Sequence, residues 1–247
     1  MNVPSHHDVA LVTGAAGSLG RIICRHLQAS GFRVAMADVD VAPLEAFASQ
    51  ASGVSAHALD VRQAADFTRV IEQVTETWGG VGVLVNNAAV MRATPLFDIT
   101  AEEFDDVVAV TLKGTFLGCQ VAGRHMADHG YGRIVNIASL AGQNGGAATG
   151  AHYAAAKGGI LTLTKVFARD LASSGVTVNA ISPGPLDLAS VRDLLPEEKL
   201  ASVTASIPVR SLGDPDYIAR VVGMLALPSA ASATGATFDI NGGLYLR

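Results

Sequence analysis

The segment from Thr13 to Gly20 constrains the fold of this chain more than any other. It reads Thr-Gly-Ala-Ala-Gly-Ser-Leu-Gly and lies between an apolar run, 9–12, and a helical pattern that ends at Gly31. A second apolar run, 34–37, follows that pattern. The order of strand, tight turn, helix and strand within about 30 residues is typical of a βαβ unit.

A glycine turn at this place presents backbone N–H groups and a helix N-terminus to an anion. We therefore predict a dinucleotide-binding turn with contacts from Gly14, Gly17, Ser18, Leu19 and Gly20. Asp38 follows the second strand, 18 residues after Gly20. A carboxylate there accepts hydrogen bonds from an adenosine ribose and repels a 2′-phosphate. Because neither the turn nor residues 34–40 contain Arg or Lys, NAD is predicted over NADP.

The alternation of strands and helices continues along the whole chain. Further strands are predicted over 54–59, 81–85, 134–137, 176–181 and 237–240, and helices over 67–78, 101–126, 151–171 and 215–225. The pattern predicts an α/β protein, a single Rossmann-type doubly wound parallel sheet with helices on both faces, in one domain over 1–247. The irregular stretch 183–215 contains a predicted substrate loop, 186–212, with a short helix over 196–203.

Composition excludes several classes of protein. Of 247 residues, 49% are hydrophobic and 16% charged, which is inconsistent with disorder. The net charge of -5 provides no basic stripe for nucleic acid. No continuous apolar run reaches the ~20 residues of a membrane span, and no signal peptide is visible, so we expect a cytoplasmic protein. Cys24 and Cys119 lie in apolar segments, which argues against disulfides, and no cluster has metal-ligand spacing.

Several motifs together resemble one family. Asn86-Asn87-Ala88-Ala89 follows the fourth strand, Ser139 the fifth, and Tyr153-Ala154-Ala155-Ala156-Lys157 opens the next helix. Pro183-Gly184 closes the sixth strand. In this order and spacing, the chain resembles the classical short-chain dehydrogenases/reductases over essentially its whole length. The loop region is loosely similar to 3-oxoacyl carrier-protein reductases and 3-hydroxyacyl-thioester dehydrogenases.

The resemblance implies an oxidoreductase that interconverts a secondary alcohol and a ketone with a nicotinamide cofactor. It also implies a homotetramer, with the helices from Ala101 and Ala151 at one interface. Further cofactor contacts are implied for Asp60, Val61, Asn87, Ala88, Ala89, Tyr153, Lys157, Pro183, Gly184 and Leu186. A substrate site is expected from Ser139, Leu140, Tyr153 and Leu188, in an apolar pocket that suits an apolar ketone or alcohol.

The chemistry of the predicted site follows from three side chains. Tyr153 supplies a phenol whose reference pKa, ~10, is too high for a base at neutral pH. Lys157 lies one helical turn away, and its positive charge is expected to lower the pKa of that phenol. Ser139, at the carboxyl end of a strand, is expected to hydrogen-bond the substrate oxygen. Thr111 stands at the family's fourth catalytic position, which is usually Asn.

Three positions depart from the family pattern. Ser18 replaces the second glycine of T-G-x-x-x-G-x-G, with Gly17 one place earlier; Thr111 replaces Asn; and Leu188 stands where a Thr often binds the nicotinamide carboxamide. Two alternatives therefore stay open. The glycine spacing is shared with nucleotide-sugar epimerases and dehydratases, and Thr111 is compatible with a catalytically weak cofactor-binding scaffold.

The histidines are predicted to be peripheral. His6 and His7 are expected to be solvated residues, and His152, although next to Tyr153, is expected at an exposed helix start.

Overall fold

The computed structural model describes residues 6–146, 149–192 and 197–247. Within them a seven-stranded parallel sheet has the order β3-β2-β1-β4-β5-β6-β7. The strands are β1 (Val9–Thr13), β2 (Arg33–Asp38), β3 (Val54–Ala58), β4 (Val83–Asn86), β5 (Gly132–Ile137), β6 (Val176–Pro183) and β7 (Thr237–Ile240). The strand order reverses direction beside β1, where Ala10 is paired with Val34 on one side and Val83 on the other. The predicted doubly wound α/β fold is confirmed.

Helices cover both faces of this sheet. They are α1 (Ser18–Ala29), α2 (Ala42–Ala48), α3 (Ala64–Trp78), α4 (Ala101–Val108), α5 (Gly114–Asp128), α6 (Ala141–Asn144), α7 (Ala151–Leu171), α8 (Ala189–Arg192), α9 (Glu197–Ser206) and α10 (Pro215–Ala226). One buried cluster joins Ile23, Leu44 and Val222 to one face, and the other joins Phe67 and Cys119 to the opposite face. Burial on both faces explains why the strands are almost continuously apolar.

One predicted helix is wrong. Residues 101–126 do not form a continuous α-helix, because a π-helical turn at Ala109–Lys113 separates α4 from α5. Such turns leave the regular hydrogen-bond ladder and often mark functional sites. The turn contains Thr111, which is completely buried.

The stretch after β6 contains the short helices α8 and α9. The short helix predicted over 196–203 is present as Glu197–Ser206. Leu194 and Leu195, in the predicted substrate loop, lie outside the described residues, as does Pro196 at the start of the predicted short helix. Among the residues that are described, no helix is long and apolar enough to cross a membrane.

Candidate active site

The glycine turn is folded against the loop that follows β4. Gly14 has a left-handed backbone with φ 65°, and a Cβ added there would lie 2.7 Å from the Cα of Ala88. A Cβ at Gly20 would overlap the carbonyl oxygen of Gly14. Both positions therefore require glycine, because any side chain would push the turn away from its neighbours.

Hydrogen bonds hold the turn and this loop together. The Asn87 side-chain amide donates to the carbonyl oxygens of Thr13 and Gly14, both at 3.0 Å. The Thr13 hydroxyl accepts from the backbone N–H groups of Asn87 at 3.1 Å and Ala88 at 3.2 Å. The ends of β1 and β4 thus form one rigid edge at the point where the strand order reverses, which is where doubly wound sheets bind ligands.

A cavity of about 470 Å³ opens at this edge. The lining residues come from the glycine turn, from the ends of β2, β3 and β4, from the π-helical turn and from the loop after β6. They are Gly14, Gly17, Ser18, Leu19, Gly20, Asp38, Val39, Leu59, Asp60, Val61, Arg62, Asn87, Ala88, Ala89, Val90, Val110 and Leu188. Ser18 is the first residue of α1, so the N-terminus of that helix faces the cavity.

Most of the residues predicted to contact the cofactor line this cavity. Five of them do not, namely Tyr153, Lys157, Pro183, Gly184 and Leu186. Gly184 donates its N–H to the carbonyl of Ile240, and Leu186 is buried against Gly213. Leu188, predicted to bind substrate, lies in the wall of the same cavity as the glycine turn.

The charged residues of the cavity are fixed by hydrogen bonds. The Asp38 carboxylate accepts from the backbone N–H groups of Ala16 at 2.9 Å and Asp40 at 3.2 Å. The Arg62 guanidinium binds both carboxylate oxygens of Asp60, and these hydrogen bonds lower the pKa of Asp60. Among the described lining residues, Arg62 is the only cation, and it is already paired.

Ser139, Tyr153 and Lys157 converge next to this edge of the sheet. Ser139 follows β5, and its hydroxyl accepts from the N–H of Ala141 at 3.1 Å. Lys157, only 2% exposed, donates from Nζ to the carbonyl oxygen of Ile137 at 2.5 Å, and the same Nζ lies 5.6 Å from the Tyr153 ring centroid. The three side chains therefore belong to one site built from β5 and α7.

The pKa of Tyr153 differs from the expected one. Burial raises it above the usual value of a phenol, and a hydrogen bond with Ser139 only partly offsets the rise. Burial also lowers the pKa of Lys157 to about 7. The expected lowering of the Tyr153 pKa by Lys157 is thus wrong for this structure, because removal of both groups from water disfavours both charged forms.

Thr111 is tied to the loop after β4. Its hydroxyl accepts from the N–H of Val90 at 3.2 Å and lies 3.5 Å from the Val90 carbonyl oxygen. Its own carbonyl accepts from the Thr115 hydroxyl at 2.9 Å. The hydroxyl of Thr111 therefore holds in place a residue that lines the cavity.

The predictions for the histidines are wrong. His152 is completely buried, with Nε2 2.8 Å from Glu103 Oε1, so the expected exposed helix start is not found. His6 and His7 are half-buried rather than solvated, and the His7 ring stacks on Tyr131 at 3.7 Å between centroids. Sequence patterns missed both contacts because the partners are far apart along the chain.

Comparison with known proteins agrees with this geometry. A family model described as enoyl-(acyl carrier protein) reductase matches residues 14–245. The chain is 37% identical to a 3-oxoacyl-[acyl-carrier-protein] reductase of Vibrio cholerae, over 96% of this chain and 97% of that protein. The chain belongs to the short-chain dehydrogenase/reductase family. An acetoacetyl-CoA reductase of Rhizobium meliloti is 38% identical, over 96% of this chain and 98% of that protein.

As a member of this family the chain is an oxidoreductase that uses a pyridine nucleotide. The residues present fit that cofactor, since the glycine turn lines the cavity and the N-terminus of α1 at Ser18 faces it. Within the described ranges, no group of His, Cys, Asp or Glu could hold a metal ion.

Proposed function

We propose that the protein is an NAD(H)-dependent oxidoreductase that interconverts 3-oxoacyl and 3-hydroxyacyl thioesters. The observation that carries the proposal is the convergence of Ser139, Tyr153 and Lys157 beside the cavity of the glycine turn. A ketone held there meets a phenol, a hydroxyl and a buried ammonium group at one place, as a proton transfer coupled to reduction requires.

The preference for NAD is inferred from charge. Asp38 places a carboxylate at the end of β2, fixed by the N–H of Ala16 in the glycine turn. A hydroxyl of the adenosine ribose can donate to this carboxylate, whereas a 2′-phosphate would be repelled. Arg62 offers little compensation, because its guanidinium is already bound to Asp60.

Tyr153 is the proposed acid in the direction of reduction. When bound, the reduced nicotinamide supplies a hydride to the carbonyl carbon. The raised pKa of Tyr153 keeps its phenol protonated at neutral pH, so that it can donate a proton to the carbonyl oxygen. Ser139 donates a hydrogen bond to the same oxygen, and a charged Lys157 stabilises the phenolate that remains.

The class of substrate is inferred from the relatives and from the loop after β6. The relatives are named for the reduction of 3-oxoacyl carrier-protein and acetoacetyl-CoA thioesters. Leu188 in the cavity wall and Leu140, next to Ser139 in the chain, supply apolar side chains, which suit an acyl chain. A homotetramer, implied by the resemblance, and a cytoplasmic location, expected from the sequence, are part of the same proposal.

The experiment measures loss of NADH absorbance with acetoacetyl-CoA and with a panel of ketones that lack the thioester. We expect acetoacetyl-CoA to be reduced most efficiently, with kcat/KM higher for NADH than for NADPH by at least about tenfold. A Tyr153→Phe variant is expected to lose turnover by about 100-fold or more and still to bind NADH. Binding of NADH without turnover of any ketone would instead identify a cofactor-binding scaffold.

A further inference from the structure

His152 occupies an unusual place for a buried histidine, directly before Tyr153 in the first turn of α7. Its ring is completely buried, and both ring nitrogens have partners. Nδ1 lies 2.9 Å from the backbone nitrogen of Tyr153, whose N–H can only donate. Nδ1 is therefore the acceptor, and Nε2 carries the proton that is donated to Glu103 Oε1 at 2.8 Å.

The hydrogen bond to Tyr153 satisfies a backbone donor that the helix itself leaves unpaired. The first N–H groups of any helix have no partner within that helix. In α7, the next N–H along, that of Ala154, is already bonded to the carbonyl of Gly150. His152 thus fixes the part of the backbone from which the phenol of Tyr153 projects.

Gly150 makes room for this arrangement. A Cβ at Gly150 would lie 2.7 Å from His152 Nδ1, and real Cβ atoms essentially never come that close to another heavy atom. The N–H of Gly150 donates to the carbonyl of Arg92 at 2.8 Å, so the start of α7 is also bonded to the loop after β4.

Glu103 anchors the other side of the imidazole. It lies in the first turn of α4, where its own N–H donates to the Thr100 hydroxyl at 3.1 Å. The pKa of Glu103 is held below its usual value by two hydrogen bonds, of which the one from the Thr94 side chain contributes more than the one from His152. Glu103 is therefore a carboxylate at neutral pH. A carboxylate acceptor gives a stronger hydrogen bond than a neutral one and keeps the imidazole in a single orientation.

We propose that His152 and Glu103 are positioning residues, which fix the backbone of Tyr153 so that its phenol reaches both Ser139 and the bound ketone. The chain of contacts runs from α4 through the imidazole to the backbone of Tyr153, and neither residue needs to touch the substrate. This inference rests on the proposed function, because it assigns the pair a role through the phenol of Tyr153.

The test compares variants that remove one or both hydrogen bonds. His152→Leu removes both, and we expect kcat to fall by about tenfold or more, with the NADH dissociation constant changed by less than about twofold. His152→Asn keeps an acceptor for the Tyr153 N–H and is expected to restore most of kcat. Glu103→Ala, at a partly exposed site, is expected to lower kcat by about threefold to tenfold, and Glu103→Gln by less.

Two controls separate positioning from general damage to the fold. Thr164→Val removes a buried hydrogen bond from the same helix and is expected to lower stability without lowering kcat. In a Tyr153→Phe background, His152→Leu is expected to cause no further loss, because residues that act through one group are not additive.

The kcat values of these variants support the proposal or overturn it. A folded His152→Leu variant with kcat within twofold of the parent overturns the proposal, and so does an Asn variant that restores nothing. If His152→Leu does not fold, the two Glu103 variants decide, and an Ala variant as active as the parent overturns it. Full turnover by Tyr153→Phe would instead refute the proposed function, so the two failures are distinguishable.

Discussion

Lys157 Nζ donates a hydrogen bond to the carbonyl oxygen of Ile137 at 2.5 Å and thereby joins α7 to the end of β5. No acidic side chain contributes to the shift of its pKa, which burial alone lowers to about 7. Retaining a buried ammonium group without a carboxylate partner costs stability, and such a cost is typical of functional sites.

The first prediction concerns the cost of this buried charge. Lys157→Met should abolish turnover and should raise the free energy of unfolding at pH 7 by roughly 1–3 kcal/mol. The unfolded lysine titrates near its ordinary pKa of 10.5, whereas the folded one titrates near 7. The parent therefore gains stability as the pH rises through this window, and the advantage of the Met variant should shrink.

Urea unfolding at several pH values between 7 and 10 measures this difference, without cofactor present. Lys165→Met, at an exposed position of the same helix, is the matched control and should keep the pH dependence of the parent, because it retains Lys157. A Met variant less stable than the parent throughout this range would contradict the prediction.

The second prediction concerns the choice of cofactor. Asp38→Ala should weaken NADH binding by about threefold to tenfold and tighten NADPH binding by about tenfold, because the repulsive carboxylate is removed. Dissociation constants of both cofactors, measured by fluorescence titration, check this. Asp40→Ala, an exposed acidic residue next in the same loop, should leave the ratio unchanged. Parent protein that binds NADPH more tightly than NADH would refute the assignment to Asp38.

The third prediction concerns Thr111. Thr111→Val keeps the shape of the side chain but leaves the N–H of Val90 without its acceptor, so we expect kcat to fall by about tenfold. Thr111→Asn retains an acceptor for this N–H and restores the residue usual in the family, so its kcat is expected to match or exceed that of the parent. Steady-state kinetics of the three proteins check this, and loss of activity in the Asn variant would contradict the expectation.

The fourth prediction concerns stability at acidic pH. The N–H of Val81 donates to Nε2 of His125, and burial, followed by the charges of His129 and His6, lowers the pKa of His125 to about 4. As the pH drops from about 6.5 to about 4, the His125 imidazole is protonated in the unfolded chain before it is protonated in the folded protein. The free energy of unfolding should therefore fall by roughly 1–2 kcal/mol as the pH drops through this range, after allowance for solvent screening.

His125→Gln retains an acceptor for Val81 but does not titrate. Its urea midpoints should depend less on pH between 4 and 6.5 than those of the parent, while the two proteins remain similar at pH 8. An unchanged pH dependence in the Gln variant would count against His125 as the source of the effect.

The strands and the glycine turn were predictable because they depend on local pattern. A parallel strand buried on both faces is mostly apolar, and the predicted apolar run 9–12 lies within β1, all of whose residues are buried. The helix predicted over 151–171 likewise coincides with α7. In contrast, α2 over Ala42–Ala48 was not predicted, since only Leu44 in it is fully buried and its periodicity is weak.

The break in the helix between α4 and α5 could not be predicted in this way. Residues 109–113 contain no proline or glycine that would interrupt a helix. The π-helical turn goes with contacts to distant parts of the chain: Thr111 with Val90, and Leu112 against Gly159, where a Cβ would lie 2.8 Å from the leucine. Tertiary packing overrides local propensity at such a place.

Hydrophobic periodicity and motif spacing are properties of neighbouring residues, so the amino-acid pattern was enough to predict the strands, most of the longer helices, the family and the residue types of the candidate site. The burial of His152, the raised pKa of Tyr153 and the position of Leu188 in the cavity wall depend instead on tertiary packing. Burial and the pairing of Glu103 with His152, 49 residues apart, exist only once distant segments have packed together and excluded water.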